Sequence, residues 1–566
     1  MHNLALLCLS SLLVCAGKRS QCFLKVLCRS CFEAFRSIQP FENAFKSISA
    51  CFGTEVLIYF TFFRTLFFYN ILLILINGLF LLLPQIAIPP HFQNSSTHSL
   101  AEPWLLTGTG ILTDSVMFYG YYSNPISGNC GANNKIMCPE EYNTTLAYIF
   151  TLGKGLFVTC IMLLHSMSKS FERTFRTFKS NGNLALKVFS FWDFNVNKEQ
   201  SVKRQKLIYT QLKEMLSELS STKGTRNMKS RLRRLPVHAF IWCICLVSIG
   251  LCMLAVYHLC QDADQTSSGM LLIMPVIVSC IIHVLPVFFK TLSRLEHYNS
   301  PNTCIYVFIV RNFLLMGCIF SVLVYHWLGK IGGKKARNNI QCWETFVGQE
   351  IYRLVLMDLI FAVLYVIFGE FLWGLYTRNV SLGRKKLDFD IAFNILELIY
   401  GQTLVWLGLL FAPLLPAVQI GKLFLLFILK KKSLIINFQA SKKYLSFSQM
   451  NTLFITLLFV PSFTGALACV IYTTRRNRPS SGCGPFRNLP QIFLSSKQWR
   501  SGQASPIPSL VWMSWLYIYV LDNSLLLFVV VGLILISIYI QTQALAGQKE
   551  LISMLQEHME YESIMI

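Results

Sequence analysis

The chain holds 566 residues, 54% of them hydrophobic and 14% charged, with a mean hydropathy of +0.50. A composition this apolar excludes a soluble globular protein and marks an integral membrane one. The formal net charge of +23 does not call for nucleic acid, because the basic residues flank apolar runs, where topology and anionic headgroups account for them.

Residues 1–53 form a short segment before the first long apolar run. Its stretch Leu4 to Gly17 resembles a signal-peptide core without a basic region ahead of it, and Cys22, Cys28 and Cys31 have no nearby histidine to suggest zinc. Ten runs follow that are long enough to span a bilayer, roughly 54–86, 146–168, 237–258, 269–291, 304–328, 346–376, 390–412, 414–430, 451–473 and 512–541. The expected fold is therefore an all-α polytopic membrane domain over 54–545, with a cytosolic tail at 546–566.

Between the first two runs, the connector 89–145 holds a single Lys or Arg, Lys135, and two glycosylation sequons, at Asn94 and Asn143. Both features place it outside or in a lumen. The next connector, 169–236, is the longest polar segment and is rich in Lys and Arg, which makes it cytosolic. Within it, Ile208, Leu212, Met215 and Leu219 recur at helical spacing among charged residues, an amphipathic helix suited to a partner protein, the membrane surface or the protein's own helices. With ten spans both termini face the cytosol. Two outer connectors run against the rule, since they contain Lys334, Lys335, Arg337, Arg475, Arg476 and Arg478.

Ionisable groups inside spans are costly and signal function by default. The fourth span carries Ser279, His283, Pro286 and Lys290 on one stripe. In the sixth, Asp358, Ala362, Tyr365 and Gly369 share a face, and in the seventh Asp390, Asn394, Glu397 and Gly401 do, continuing to Gly408. Two acidic-to-small faces suit a hydrated path that favours cations. They equally suit helix packing, with the acids paired to buried bases such as Lys154, Lys290, Arg311 and Lys422. Pro413 and Pro416 end the seventh helix and turn the chain into a tight hairpin. No nucleotide-binding, metalloprotease or hydrolase motif occurs, so nothing calls for catalysis, a cofactor or a metal site.

The stretch Cys342-Trp343-Glu344-Thr345, continuing as "FVGQEIYRL", resembles the signature of the transmembrane channel-like (TMC) family. Residues 50–70, 188–196, 389–416 and 479–487 resemble further segments of that family, in order. The resemblance implies ten spans and an architecture shared with anoctamins and hyperosmolality-gated channels: a homodimer in which each subunit holds a conduction path along spans four to eight. It also implies a cation channel, mechanically gated in some members, aided by a small calcium-binding protein docked on cytosolic helices. Asp358 and Asp390 match acidic positions of the family's pore helices. Other members are internal-membrane proteins affecting zinc balance, so a non-conducting scaffold or regulator stays open, as does a lipid scramblase by analogy, and residence in either the plasma membrane or an internal one. Within the signature, Trp343 suits the interface, Cys342 is placed to pair with a lumenal cysteine such as Cys483, and Glu350 and Arg353 are spaced to neutralise each other.

Overall fold

A computed structural model describes residues 54–87, 104–122, 144–178, 228–262, 271–296, 301–333, 342–372, 374–376, 387–439 and 447–487, with a few isolated positions besides. Long helices account for most of them: α1 (Thr54–Asn77), α2 (Thr144–Phe178), α3 (Met228–Asp262), α4 (Ile273–Leu295), α5 (Pro301–Val324), α6 (Trp343–Leu364), α7 (Ile391–Gly408), α8 (Leu415–Asn437), α9 (Phe447–Leu457) and α10 (Thr464–Arg476). The remaining extended structure is a two-residue parallel pairing, Leu387–Asp388 beside Phe438–Gln439. The chain is an all-α, multi-pass membrane protein.

Eight described helical segments are long and apolar enough to cross a membrane. They coincide with spans one to seven and with span nine, which is built from α9, a π-helical turn (Leu458–Phe463) and α10. Span eight is α8, whose 23 residues suffice in length; Lys422, Lys430, Lys431 and Lys432 make it more charged than the rest. The tenth expected span, the amphipathic stretch Ile208 to Leu219, both sequons at Asn94 and Asn143, and the two terminal segments lie outside the described residues.

α7 is the centre of the fold. Nearly all of it is buried (94%), whereas only 22% of the apolar stretch of α3 is. The difference follows from neighbours: α7 packs against α1, α5, α6, α8 and α10, while α3 turns Phe240, Val247 and Leu251 outward, the surface expected of a helix that meets lipid tails. The α7–α8 hairpin turns at Leu409 to Leu414, and its carbonyls, which the turn leaves without helical partners, are capped from three directions. Asn77 Nδ2 donates to the Pro413 carbonyl at 2.6 Å, the Tyr148 hydroxyl to Leu410 at 2.7 Å and the Tyr119 backbone N–H to Phe411 at 2.9 Å. The hairpin expected from Pro413 and Pro416 is present, with Pro416 in the first turn of α8, where a missing N–H costs nothing.

Spans one, five, six and nine each contain a π-helical segment, at Gly78–Leu82, Tyr325–Ile331, Tyr365–Leu372 and Leu458–Phe463. Such segments widen a helix by one residue per turn and recur at functional places.

A candidate ion path between four helices

The polar residues of α6 fall into two groups. Near its start, the Cys342–Cys483 disulfide ties the helix to the segment after α10, closing a loop of 141 residues. Trp343 is buried, 2% exposed, against Phe411, with its indole donating to the Arg478 carbonyl at 3.2 Å. Glu344, also buried, accepts from the Ser480 N–H at 2.8 Å and its hydroxyl at 2.7 Å. Glu350 accepts from the Trp327 indole at 2.6 Å, and Arg353 donates to the Thr107 carbonyl at 2.6 Å. Each of these residues also has a partner on another element, and the Glu350 charge still acts on Arg353. Thr345 accepts from the Gly120 N–H at 3.0 Å.

Gly484, on the tethered segment, sits at φ +81°, and a Cβ there would meet the Tyr119 ring at 2.0 Å. Only glycine fits both the backbone and the space. Burial beside Glu344 raises the Tyr119 phenol well above its ordinary value, so it stays neutral. Cys342, Glu344 and Cys483 bring ligand-type atoms within 4.8 Å of one another, but the sulfurs are joined and the carboxylate is occupied by Ser480. The Trp343 end of α6 is thus a structural anchor.

Deeper along α6 the chemistry changes. Asp358 is fully buried, ion-paired with Lys422 of α8, and its Oδ1 lies 3.8 Å from His283 Nε2 of α4. Gly401 of α7 completes this junction: a Cβ there would lie 2.9 Å from Lys422 Nζ, 3.2 Å from Gln419 Nε2 and 3.6 Å from Asp358 Oδ2. The glycine is what lets the ion pair lie against α7. Further on, Lys430 donates to Glu370 Oε1 at 2.5 Å, Ser433 donates to Glu370 Oε2 at 2.6 Å, and the Lys430 ammonium sits 5.2 Å from the Tyr365 ring. Ala362 is buried in α6 between these levels. At the start of α7, Asp390 caps the helix through the Phe393 N–H and pairs with Lys290 of α4 at 2.7 Å. Asn394 donates back to the Asp390 carbonyl at 2.6 Å.

His283, Asp358, Tyr365, Asp390, Asn394, Glu397 and Gly401 therefore all lie along one seam between α4, α6, α7 and α8. Three of the acids along it, Asp358, Glu370 and Asp390, are ion-paired with buried or half-buried lysines. Arg311, offered as a base for the stripes, is instead bonded through two nitrogens to Glu296, at 3.0 and 2.5 Å, beneath the Trp242 ring. Lys154 lies over the Phe80 ring at 4.6 Å.

Sequence reasoning missed Glu370, Lys430 and Gln419. Glu370 lies twelve residues beyond Asp358, which in a regular α-helix puts it about 120° off the stripe. The π-helical segment Tyr365–Leu372 advances roughly 80° rather than 100° per residue, and over five or six residues this recovers about 100°. That returns Glu370 to the face of Asp358. A polar residue just beyond an expected stripe, in a run that includes Gly369, was the only signal.

Several buried polar atoms along the seam have no hydrogen-bond partner among the described residues: His283 Nε2, Asp358 Oδ1, Asn394 Oδ1, Glu397 Oε1 and both polar atoms of the Gln419 amide. Buried polar groups are rarely left so. Other such atoms lie elsewhere in the described residues, among them Arg353 Nη1 and Trp406 Nε1, but six of them fall along this seam.

Comparison with known proteins agrees with the sequence resemblance. A family model described as the TMC domain matches residues 342–448, which take in α6, α7 and α8. Transmembrane channel-like protein 6 of Homo sapiens is 38% identical over 97% of this chain and 70% of its own length. Transmembrane channel-like protein 5 of Rattus norvegicus is 36% identical over 93% of this chain, which spans about half (54%) of that relative. A more distant relative, named voltage-gated chloride channel TMC4, of Mus musculus, is 28% identical over 86% of this chain and 77% of its own length. With such identity carried across nearly the whole chain, and the signature Cys342-Trp343-Glu344-Thr345 seated at the head of the polar seam, this protein belongs to the transmembrane channel-like family.

Proposed function

We propose that the chain is an ion-channel subunit whose conduction path runs along the seam between α4, α6, α7 and α8. In the described conformation the Asp358–Lys422 and Glu370–Lys430 pairs close it. The observation that carries this reading is the run of ion-paired and unpartnered polar groups through the bundle's interior, where each unsatisfied group is costly. A purely structural interior has no use for so many.

The seam's charge bears on which ion passes. Asp358, Glu370, Asp390 and Glu397 stand against Lys290, Lys422 and Lys430, an excess of one acid, and this excess supports cation preference. Anion conduction is the second reading, favoured by the two fully buried lysines and by the chloride channel in the name of one relative. Gating by membrane tension, assembly as a homodimer, a calcium-binding partner on the amphipathic loop helix and residence in the plasma membrane belong to the same proposal and rest on the family resemblance.

Reconstitution of the purified chain in liposomes under a defined tension protocol tests it. Conductance is expected, with Glu397→Gln shifting the reversal potential toward anions in a salt gradient. A chain that passes no current under tension or voltage sinks the channel reading in favour of a scaffold or regulator. A fluorescent-lipid reduction assay separates both from a scramblase.

A further inference from the structure

The two faces of α2 differ. One packs against α1 and span nine. The other carries Gly153, Lys154, Phe157 and Ile161, which helical spacing sets side by side, and all four are exposed. The end of span one continues this surface: the Lys154 ammonium sits 4.6 Å over the Phe80 ring, and Leu79 and Leu83 beside that ring are exposed. An apolar face of this kind is ordinary where it meets lipid tails, but a lysine in it is not. At 1.5 Å per residue, Lys154 lies about 12 Å from the start of span two near residue 146, close to the middle of a hydrocarbon layer about 30 Å thick. Its stem reaches only part of the way back to the headgroups. The Phe80 ring eases the charge without neutralising it, and no carboxylate pairs with Lys154 among the described residues.

What stabilises such an ammonium is a carboxylate at the same depth. The tenth span expected from the sequence, 512–541, supplies one, since Asp522 is its sole charged residue. Asp522 stands about 15 Å from the start of that span, and it too is costly in an apolar helix unless paired. Spans two and ten are both even-numbered, so they cross in the same direction, and side by side they bring Lys154 and Asp522 to one level. The described chain leads there as well. Its last continuous segment ends at the head of α2, where Thr145 donates to the Pro485 carbonyl at 2.7 Å and the Phe486 ring lies 5.8 Å from that of Tyr148. Next to Lys154, a Cβ added to Gly153 would meet nothing within 4 Å, which leaves room for a second helix to come close.

We propose that the Gly153–Ile161 face of α2 is the docking surface for this chain's own tenth span, residues 512–541, and that a Lys154–Asp522 ion pair sets the register of the two helices. The surface lies on α2, outside the seam between α4, α6, α7 and α8, and its role is assembly of the membrane domain.

The test uses the purified full chain in lipid nanodiscs. Dicyclohexylcarbodiimide, an apolar reagent that joins a carboxylate to an adjacent amine, is added to the wild type, and the products are separated on a denaturing gel and digested for mass spectrometry. The expected product is a Lys154–Asp522 crosslink in protein of monomer mass. The same crosslink at dimer mass assigns the surface to a second copy and overturns docking of the chain's own span. Thermal melting of variants gives an independent reading. Lys154→Met and Asp522→Leu should each lower the melting temperature, and the double variant should lose less than half of the two losses together, because neither charge is then left alone. Losses that simply add overturn the pair. A wild-type melting temperature that is higher in phosphatidylglycerol than in phosphatidylcholine, with the difference gone in Lys154→Met, assigns the lysine to a lipid headgroup and overturns it too. Should a variant fail to fold, the wild-type crosslink decides, and its absence counts against the pair. None of these readings needs a current, so their failure leaves the conduction proposal standing, and the reverse holds too.

Discussion

The two ends of α6 carry similar densities of polar residues to opposite ends. At the Trp343 end, Glu344, Glu350 and Arg353 each meet a specific partner, Ser480, Trp327 and Thr107, and the disulfide pins the assembly. Fifteen residues further along, Asp358 meets a lysine and a histidine, among atoms that have no partner at all. Satisfied polar groups make a fixed joint; partly satisfied ones in a low-dielectric interior make a place that exchanges partners with water or ions. Polar residues in a span are therefore not equivalent evidence of function, and what separates the two ends is the degree to which their hydrogen bonds are complete: among the three residues named at the Trp343 end Arg353 Nη1 lacks a partner, against six atoms along the seam.

This contrast breaks if mutations at the two ends behave alike. The largest effect is expected from Lys422→Met, which leaves Asp358 charged and alone, a loss of about 3–5 kcal/mol. Thermal melting of the purified protein should show it, and the double variant Asp358→Asn/Lys422→Met should recover a substantial part. A double variant as unstable as the single one would mean that the pair is not the unit described here. Cys342→Ser comes next: releasing a 141-residue loop should cost about 2–4 kcal/mol, while ion selectivity in liposomes stays that of the wild type. Glu344→Gln should cost about 1–3 kcal/mol through its contacts to Ser480, again without a change in selectivity; a shifted reversal potential there would erase the distinction between anchor and path. Smallest in stability, about 1 kcal/mol, but specific to the seam, Gly401→Ala pushes on Lys422 and should alter current while leaving the anchor intact.

Much of the polar seam was legible in the sequence, for a reason that also set the limit. Regular helical spacing put Asp358 and Ala362 on one face, and Asn394, Glu397 and Gly401 on another, because α6 and α7 are α-helical across those residues, with Tyr365 opening the π-helical segment and Asp390 capping α7 from just outside it. Spacing could not bring in Glu370, which reaches the seam only through the π-helical turn. Nor could it assign bases to acids: Lys290 and Lys422 serve the stripes, whereas Arg311 is taken by Glu296. The stability of Glu296 against Arg311 rests on the approach of α4 to α5, which is a tertiary fact. Burial there, with the Glu296 hydrogen bond, pushes the phenol of Tyr298, between α4 and α5, up to about 12.

By itself the sequence determined the class of the protein, its apolar helices and the proline-bounded hairpin, since length, hydropathy and the missing N–H of proline act locally along the chain. It also offered Cys342 and Cys483 as partners without deciding between them and other cysteines. Which polar groups end satisfied and which face empty space was decided only when α4, α5, α6, α7 and α8 packed together. Hydrogen-bond completeness depends on groups more than a hundred residues apart, such as Asn70 with Gln402 or Trp343 with Arg478, and no periodicity within one helix encodes it.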